Sequence, residues 1–510
     1  MTDRTLAPSA AHKALILLSV CLAAIAMPLT FTGPAVALTA IADTLGGSPV
    51  ALNWVTNAFM LTFGSALMAA GALADSFGRK RIFLTGVAGF ALASLALVGA
   101  RSILIFDLLR ALQGIAAAAA FAGGMAALAQ EFSDAARMRA FSVVGASFGA
   151  GLSFGPISSG VMTQTFGWPS IFLAVVALTV ASFLIGIVVL RESRDPKARG
   201  LDWPGAISFT LALTLFTYGM LQAPESGWGD PLVIALLIGA VALMALFVRI
   251  ELNSPRPMLD LSLFRYGRFV GVQLLAAAPA YAFVVLLILL PIRFVGIEGV
   301  DEVAAGRMMM ALSAPLLVLP LLAGWLSRWI APAAICGLGL LVCAAGLAWL
   351  SFMPVGGAVS AMLAPMAVIG IGISLPWGLM DGLAVSVVPA ERAGMATGIF
   401  STVRVAGEGV ALAIVSAVLS ALTAGHLAGE QVREGAQKLV TGDVAGAAGA
   451  LPQLARSALI QAYGDAFATL LLLLAAITIV TAVVVFVFLG RREAPTRANA
   501  EEATALSSSL

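Results

Sequence analysis

Long apolar runs, broken at near-regular intervals by short polar turns, make up most of this chain. A hydrocarbon layer of about 30 Å is crossed by about 20 helical residues. Runs of that length lie at 14–42, 51–74, 82–100, 103–130, 140–163, 170–190, 204–222, 231–249, 269–293, 304–326, 331–352, 358–388, 395–423 and 466–490. The pattern predicts an all-α integral membrane protein of fourteen spans. Composition agrees: 61% of residues are hydrophobic and 11% charged, with a mean hydropathy of +1.03, far from the roughly 25% charge of soluble domains. The first run is too long for a signal-peptide core and counts as a span.

Charge then sets the orientation, because positive residues are retained on the cytoplasmic side. With the N-terminus inside, twenty of the 28 Lys and Arg fall on inner segments, among them Arg79, Lys80, Arg81, Arg137, Arg139, Arg191 and Arg328. Arg101, Arg433, Lys438 and Arg456 fall outside, and Arg110, Arg293, Arg307 and Arg404 lie within spans or at their outer ends. Both termini are therefore expected in the cytoplasm, and the expected location is a cell membrane, a bacterial inner membrane. The net charge of +2 is spread over many loops and forms no nucleic-acid-binding patch.

The chemistry of most enzymes finds no foothold. Cys21, Cys336 and Cys343 sit inside apolar runs without CxxC spacing, and the two histidines, His12 and His426, lie in a tail and an outer loop. No phosphate-binding Gly-x4-Gly-Lys-Ser/Thr occurs, and the GIG at 370–372 reads as close helix packing. Neither an enzyme nor a nucleotide-driven pump is expected, and no cofactor or metal.

Two charged boundaries, RESRDPKARGLDW at 191–203 and RIELNSPRPMLDLSLFRYGR at 249–268, bracket only two spans. The plan is six plus two plus six: a first bundle over 1–200, two linker spans over 201–266, a second bundle over 267–493 with a long outer loop at 424–465, and a tail at 494–510. A faint repeat supports it, since span 2 ends in GALADSFGRKR and span 10 in GWLSRWIAP, each a glycine before a charged inner turn. Two similar bundles facing each other at mid-membrane is the layout of alternating-access transport.

These residues resemble the major facilitator superfamily, and within it the fourteen-helix drug:proton antiporters. GALADSFGRKR (71–81) is similar to the signature between helices 2 and 3, with Gly71, Asp75, Gly78, Arg79, Lys80 and Arg81 in place. RALQG (110–114) resembles the helix 4 signature, whose buried arginine, here Arg110, is implicated in proton coupling. GAGLSFGPISSG (149–160) resembles the helix 5 antiporter signature through Gly151, Gly155, Pro156 and Gly160, with Ser159 in place of a frequent glycine. The likeness continues through GWPSIF, RGLDWPG, SPRPMLDLSLFR and VPAERAGMATGIFSTVR. Helix 1 departs from it: Thr30 stands near where drug-exporting relatives often carry an aspartate. The resemblance implies a proton-driven exporter of small hydrophobic or amphipathic compounds, such as drugs, antiseptics or toxic metabolites.

Read for themselves, the same stretches carry mechanisms. Gly-x3-Gly spacing and Pro156 predict a close, bent contact along helix 5. Asp75, Arg79 and Glu131 form a candidate charge lock at the cytoplasmic edge. A charge at mid-bilayer costs at least about 2.5–3.5 kcal/mol unless paired or wetted, so Asp107, Arg110, Asp381, Arg404 and Glu408 must face the protein interior. At about 1.5 Å per residue, Glu408 and Arg110 come out at similar depths, with Arg404 and Asp381 on a more cytoplasmic level. Arg404 and Glu408 are i,i+4 neighbours able to pair. A carboxylate that meets each side in turn can carry a proton and compete with cargo for the same site. Phe31, Trp54, Phe59, Phe121, Trp377 and Phe400 are the candidate apolar walls.

The expected partners are a small hydrophobic or amphipathic molecule, protons and the bilayer, with the protein as a monomer. The alternatives are a proton symporter or lipid translocator on the same scaffold, and a ligand-sensing receptor that does not transport.

Overall fold

The computed structural model describes residues 10–132, 134–194, 202–254, 257, 259, 261–357, 359–387, 393–428 and 431–489; the tail at 494–510 lies outside them. The long helices are α1 (Ala10–Val36), α2 (Pro49–Phe77), α3 (Arg79–Val98), α4 (Ile103–Glu131), α5 (Asp134–Phe166), α6 (Pro169–Val189) and α7 (Trp203–Ser226). They continue with α8 (Pro231–Asn253), α9 (Gly267–Ile297), α10 (Glu302–Leu326), α11 (Pro332–Ser351), α12 (Ser360–Ala384), α13 (Ala393–Gly425) and α14 (Arg456–Leu489). Thirteen of these are long and apolar enough to cross a bilayer, and the 33-residue α5 stands beside them. The turns are short because each new helix is started promptly. Ser48, Ser102, Asp202, Asp230 and Asp301 accept first-turn N–H groups, and Pro49, Pro169, Pro231 and Pro332 occupy first helical positions, where no N–H is needed.

Helices of the first group have counterparts eight places later. In the first group α1 packs on α5 and α6, α4 on α2 and α3, and α3 on α6; in the second α9 packs on α13 and α14, α12 on α10 and α11, and α11 on α14. Such matched contacts are the mark of a structural repeat. The groups meet along two main seams, α2 with α13 and α5 with α10. Helices α7 and α8 pair with each other, and α7 lies against both α2 and α13, with Met220 and Leu221 on Val50, Ala413 and Ala417. The outer surfaces of α3, α6 and α8 present Leu92, Leu184, Val188, Ile238 and Val241 outward, as a lipid-facing surface must.

We call the end holding the α2–α3 turn basal and the opposite end distal. At the distal end the segment 424–465 forms two short helices, Val432–Val440 and Val444–Ala450. The first packs on α13 and also touches α7 and α14. Gly442, at φ +86°, sets its backbone against Gly296 of α9. A residue that can adopt positive φ and has no Cβ is what such a contact requires.

Helix α9 is the irregular member. It widens into π-turns at Ala280–Val284 and Arg293–Ile297, close after Pro279 and Pro291, whose rings cannot donate the regular hydrogen bond.

Candidate functional site

Small residues decide where the two seams close. On α5, a Cβ at Gly151 would stand 2.6 Å from Ile25 O of α1, and one at Gly155 2.5 Å from Thr32 Oγ1. Gly160 instead faces α10, against the carbonyl of Glu302. Gly306 of α10 returns the contact, with its Cβ position 2.5 Å from Ile157 Cα and 2.7 Å from Pro156 O. Helix α5 is thus held tightly between a helix of its own bundle and one of the other. Midway along the seam Ser153 Oγ donates to Ser313 O at 2.7 Å. At the distal rim Gln164 Nε2 donates to Asp301 Oδ1 and Glu302 Oε2, each at 3.1 Å. The Ala304 N–H, with help from Gln164 and Arg307, holds the Asp301 carboxyl below the usual range. Asp301 therefore stays ionised throughout the physiological range.

The other seam closes likewise. The backbones of α2 and α13 touch where Gly64 meets Ala406, and Gly409 lies against Leu61. Toward the basal end, Gly71 of α2, Gly145 of α5 and Gly324 of α10 have no described atom within 4 Å of a Cβ position. Among the described residues, the closest glycine contacts of the two seams thus lie from mid-helix to the distal rim.

Glu408 sits in the closed part of the α2–α13 seam, on the turn between Ala406 and Gly409, and is only 6% exposed. Arg404, one turn basal, is its electrostatic neighbour and lies over the Phe400 ring, 5.5 Å from the centroid. The Asp381 side chain lies outside the described residues, although its backbone continues α12.

Arg110 is fully buried inside the first bundle. Its Nε donates to Val55 O at 2.7 Å, its Nη1 donates to Gln113 Oε1 at 2.5 Å, and its guanidinium covers the Phe59 ring at 4.7 Å. Gln113 Nε2 passes the network to Ser94 Oγ of α3 at 2.8 Å. Arg110 Nη2 and Asp107 Oδ1 are buried without hydrogen-bond partners, a costly condition for groups at this depth. Gln113, quoted in RALQG yet given no role there, proves to bond α4 to α3.

The expectation that Arg110 and Glu408 share a depth needs correction. Arg110 bonds α2 at Val55, whereas Glu408 stands beside the contact at Leu61. Along α2 those positions are about 9 Å apart, and they belong to different bundles.

Of the candidate wall aromatics, Phe31, Phe59 and Phe400 are buried in packing. Trp54 is half-buried and edge-on to Tyr218 of α7 at 6.1 Å. Phe121 and Trp377 are also half-buried, against Phe148 of α5 and Phe283 of α9 respectively. Thr30, in the place of the frequent aspartate, donates to the Met27 carbonyl of its own helix at 2.5 Å.

At the basal junction Arg79 grips Asp75 Oδ1 through Nη2 at 2.9 Å and donates to Gln130 Oε1 at 2.7 Å. Glu131 is the next residue, half-buried at the end of α4. Gly78 adopts φ +118°, and a side chain there would collide with Glu192. Glu192 in turn accepts from Lys80 N at 3.2 Å and pairs with Arg81 at 3.6 Å. The signature turn thereby ties α2 and α3 to the end of α6. Glu192 lay in the charged boundary at 191–203 without being singled out.

Comparison with known proteins decides the kinship. The family model described as Major Facilitator Superfamily matches residues 18–412. The chain belongs to the major facilitator superfamily. It is 30% identical over 372 residues to the multidrug resistance protein Stp of Mycobacterium tuberculosis, covering 72% of this chain and 69% of that one. It is 27% identical over 405 residues to the tetracenomycin C resistance and export protein of Streptomyces glaucescens, covering 79% and 75%. In fold it is similar to a bacterial homologue of the human lysosomal transporter Spinster in an inward-facing, unoccupied conformation, with a TM-score of 0.65, 16% identity and coverage of 96% and 100%. The superfamily member described here is thus a multi-pass membrane protein with the facilitator fold.

Proposed function

We propose that this protein is a proton-coupled exporter of small hydrophobic or amphipathic compounds, working by alternating access as a transporter rather than an enzyme. The observation that carries the reading is the pair of seams along which the two bundles meet, held in close contact from mid-membrane to the distal rim. That arrangement is one of the two states such a cycle needs. The relatives named for multidrug resistance and for tetracenomycin C export supply the direction and the class of cargo. In this reading all fourteen helices span the bilayer, α5 included. The basal end and both termini are cytoplasmic, and the chain divides into bundles at 1–200 and 267–493 around the linker pair at 201–266. The proton motive force drives it without a cofactor, and the monomer is the working unit.

Glu408 is the proton carrier in this scheme, with Asp381 as the second candidate. Arg404 offers the countercharge, Asp107 and Arg110 form a separate site in the first bundle, and Phe121 and Trp377 offer ring surface to cargo. A proton taken from outside displaces cargo, and its loss to the cytoplasm readies the site again. The Asp75, Arg79 and Glu131 set governs the conformational step. Asp75→Asn is therefore expected to slow turnover about tenfold or less while leaving cargo affinity within about twofold. Equilibrium binding alongside initial transport rates separates the two, and lost binding with normal turnover would contradict the division.

The test of the function is purified protein in liposomes with an imposed pH gradient, offered cationic, neutral and anionic lipophiles. Three embedded acids, Asp107, Asp381 and Glu408, stand against Arg110 and Arg404, and Thr30 adds no charge. A second cationic centre would find no free carboxylate. Neutral and monocationic lipophiles are expected to be moved at least about fivefold better than dications of similar hydrophobicity. A preference for dications would point to a negative charge outside this set.

A further inference from the structure

Basal to the Gly64–Ala406 contact of the α2–α13 seam, residues of α2, α7, α8 and α13 enclose a crevice of about 80 Å³. Its wall is formed by Met68 of α2, Phe209 of α7, Phe247 of α8, Phe264 of the following turn, and Thr402 and Val403 of α13. Among the described residues, every exposed atom of that wall is apolar and Thr402 alone bears a hydroxyl, whose Oγ1 is buried with no described hydrogen-bond partner. At about 1.5 Å per residue, Met68, Phe209, Phe247 and Val403 all lie about 9–15 Å from the basal ends of their helices. That is the acyl-chain depth of the basal leaflet. Water gains little in such a space, because it needs two or more polar partners. A ring or short alkyl segment fills it and buries apolar surface on both sides.

We infer that this crevice is a leaflet-side entry site, in which the apolar group of a membrane-dissolved cargo molecule seats before passing between α2 and α13. The inference rests on the exporter reading, and it gives the linker helices a role: they supply the two aromatic walls, Phe209 and Phe247. It also makes the site state-dependent, because the opposite wall belongs to α2 and α13, the two helices of one seam between the bundles.

The test needs no gradient and so can fail independently of transport. Cys21, Cys336 and Cys343 are replaced, Val403→Cys is introduced, and the protein in liposomes is reacted with pyrenylmaleimide or with a sulfonated, water-soluble maleimide. Pyrenylmaleimide is expected to react at least about tenfold faster. Adding Phe209→Trp, which fills the crevice, is expected to slow it about fivefold or more, while a lipid-facing control, Leu246→Cys, is unaffected. Equal reaction with the sulfonated reagent would make the crevice aqueous and overturn the inference. Indifference to Phe209→Trp would overturn it too, by showing open lipid surface. So would fast labelling in detergent that vanishes in liposomes, because a resident lipid chain would then hold the site against cargo.

Discussion

Replacing Glu408 with Gln is expected to lower uphill, gradient-driven export at least about tenfold, to the level of passive leak, while cargo exchange in the absence of a gradient continues. The expectation follows from position. Glu408 stands where α13 lies against α2, between the Ala406 contact with Gly64 and the Gly409 contact with Leu61. An uncompensated charge at mid-membrane costs at least about 2.5–3.5 kcal/mol. Closing the seam around this side chain and neutralising it are therefore linked events. Glutamine keeps the shape and removes the ability to exchange a proton. Uphill export and cargo exchange measured on the same vesicles separate coupling from folding. Normal uphill export by the variant would transfer the role to Asp381.

The second large effect is expected from Gly306→Leu. A Cβ on Gly306 would already stand 2.5 Å from the Ile157 backbone, so a leucine must push α5 and α10 apart, as overpacking does in any close-packed interior. The distally closed state should be lost, and transport should fall at least about tenfold. Spin labels at Thr165 and Arg307, both exposed near the distal rim, should shift to longer distances than in the unsubstituted protein. Gly64→Leu, at the backbone contact with Ala406 in the other seam, should have the same consequence. Unchanged distances with normal transport in either variant would mean that distal closure is not part of the cycle.

How much of this was legible in the sequence depends on the kind of information involved. The spans were legible because a bilayer imposes length and polarity on every crossing. Boundaries moved where the chain turns locally: the first run, read as continuous to 42, breaks at Ala37 before the short helix Leu38–Leu45. Of the two Gly-x3-Gly pairs read from spacing, 151–155 packs closely while 145–149 does not, since Gly149 comes only within 3.7 Å of Leu316 O and Gly145 has no described neighbour within 4 Å; which neighbour each glycine meets was not legible, because that depends on how the bundles dock. The long segment at 424–465 had a helix-permitting composition, yet its seat on α9 depends on Gly442 and Gly296, some 150 positions apart.

The least legible feature is the ion pair between Arg293 and Glu298, 2.9 Å apart and almost fully buried. Residues five apart point in different directions on an α-helix. The π-turn at Arg293–Ile297, in which Glu298 N–H donates to Arg293 O at 2.9 Å, brings them to one face. Arg293 also covers the Phe467 ring at 5.1 Å and donates to Met353 O at 3.3 Å, which fixes the distal end of α9 to α14 and to the end of α11. Pro291 was the available signal, since a proline near a helix end invites such a widening. The depth of Arg110 failed for a related reason. Counting residues from helix ends assumes that all helices begin at one level, whereas a cross-helix bond such as that to Val55 measures the level directly.

The central claim is that proton and cargo compete for one carboxylate, and proton release on cargo binding tests it most directly. Purified protein in weakly buffered detergent solution, titrated with a lipophile that it moves in liposomes, should release about one proton per bound molecule near neutral pH, and the Glu408→Gln variant should bind without release. Binding to the unsubstituted protein with no proton released, or equal release from the variant, would contradict the account.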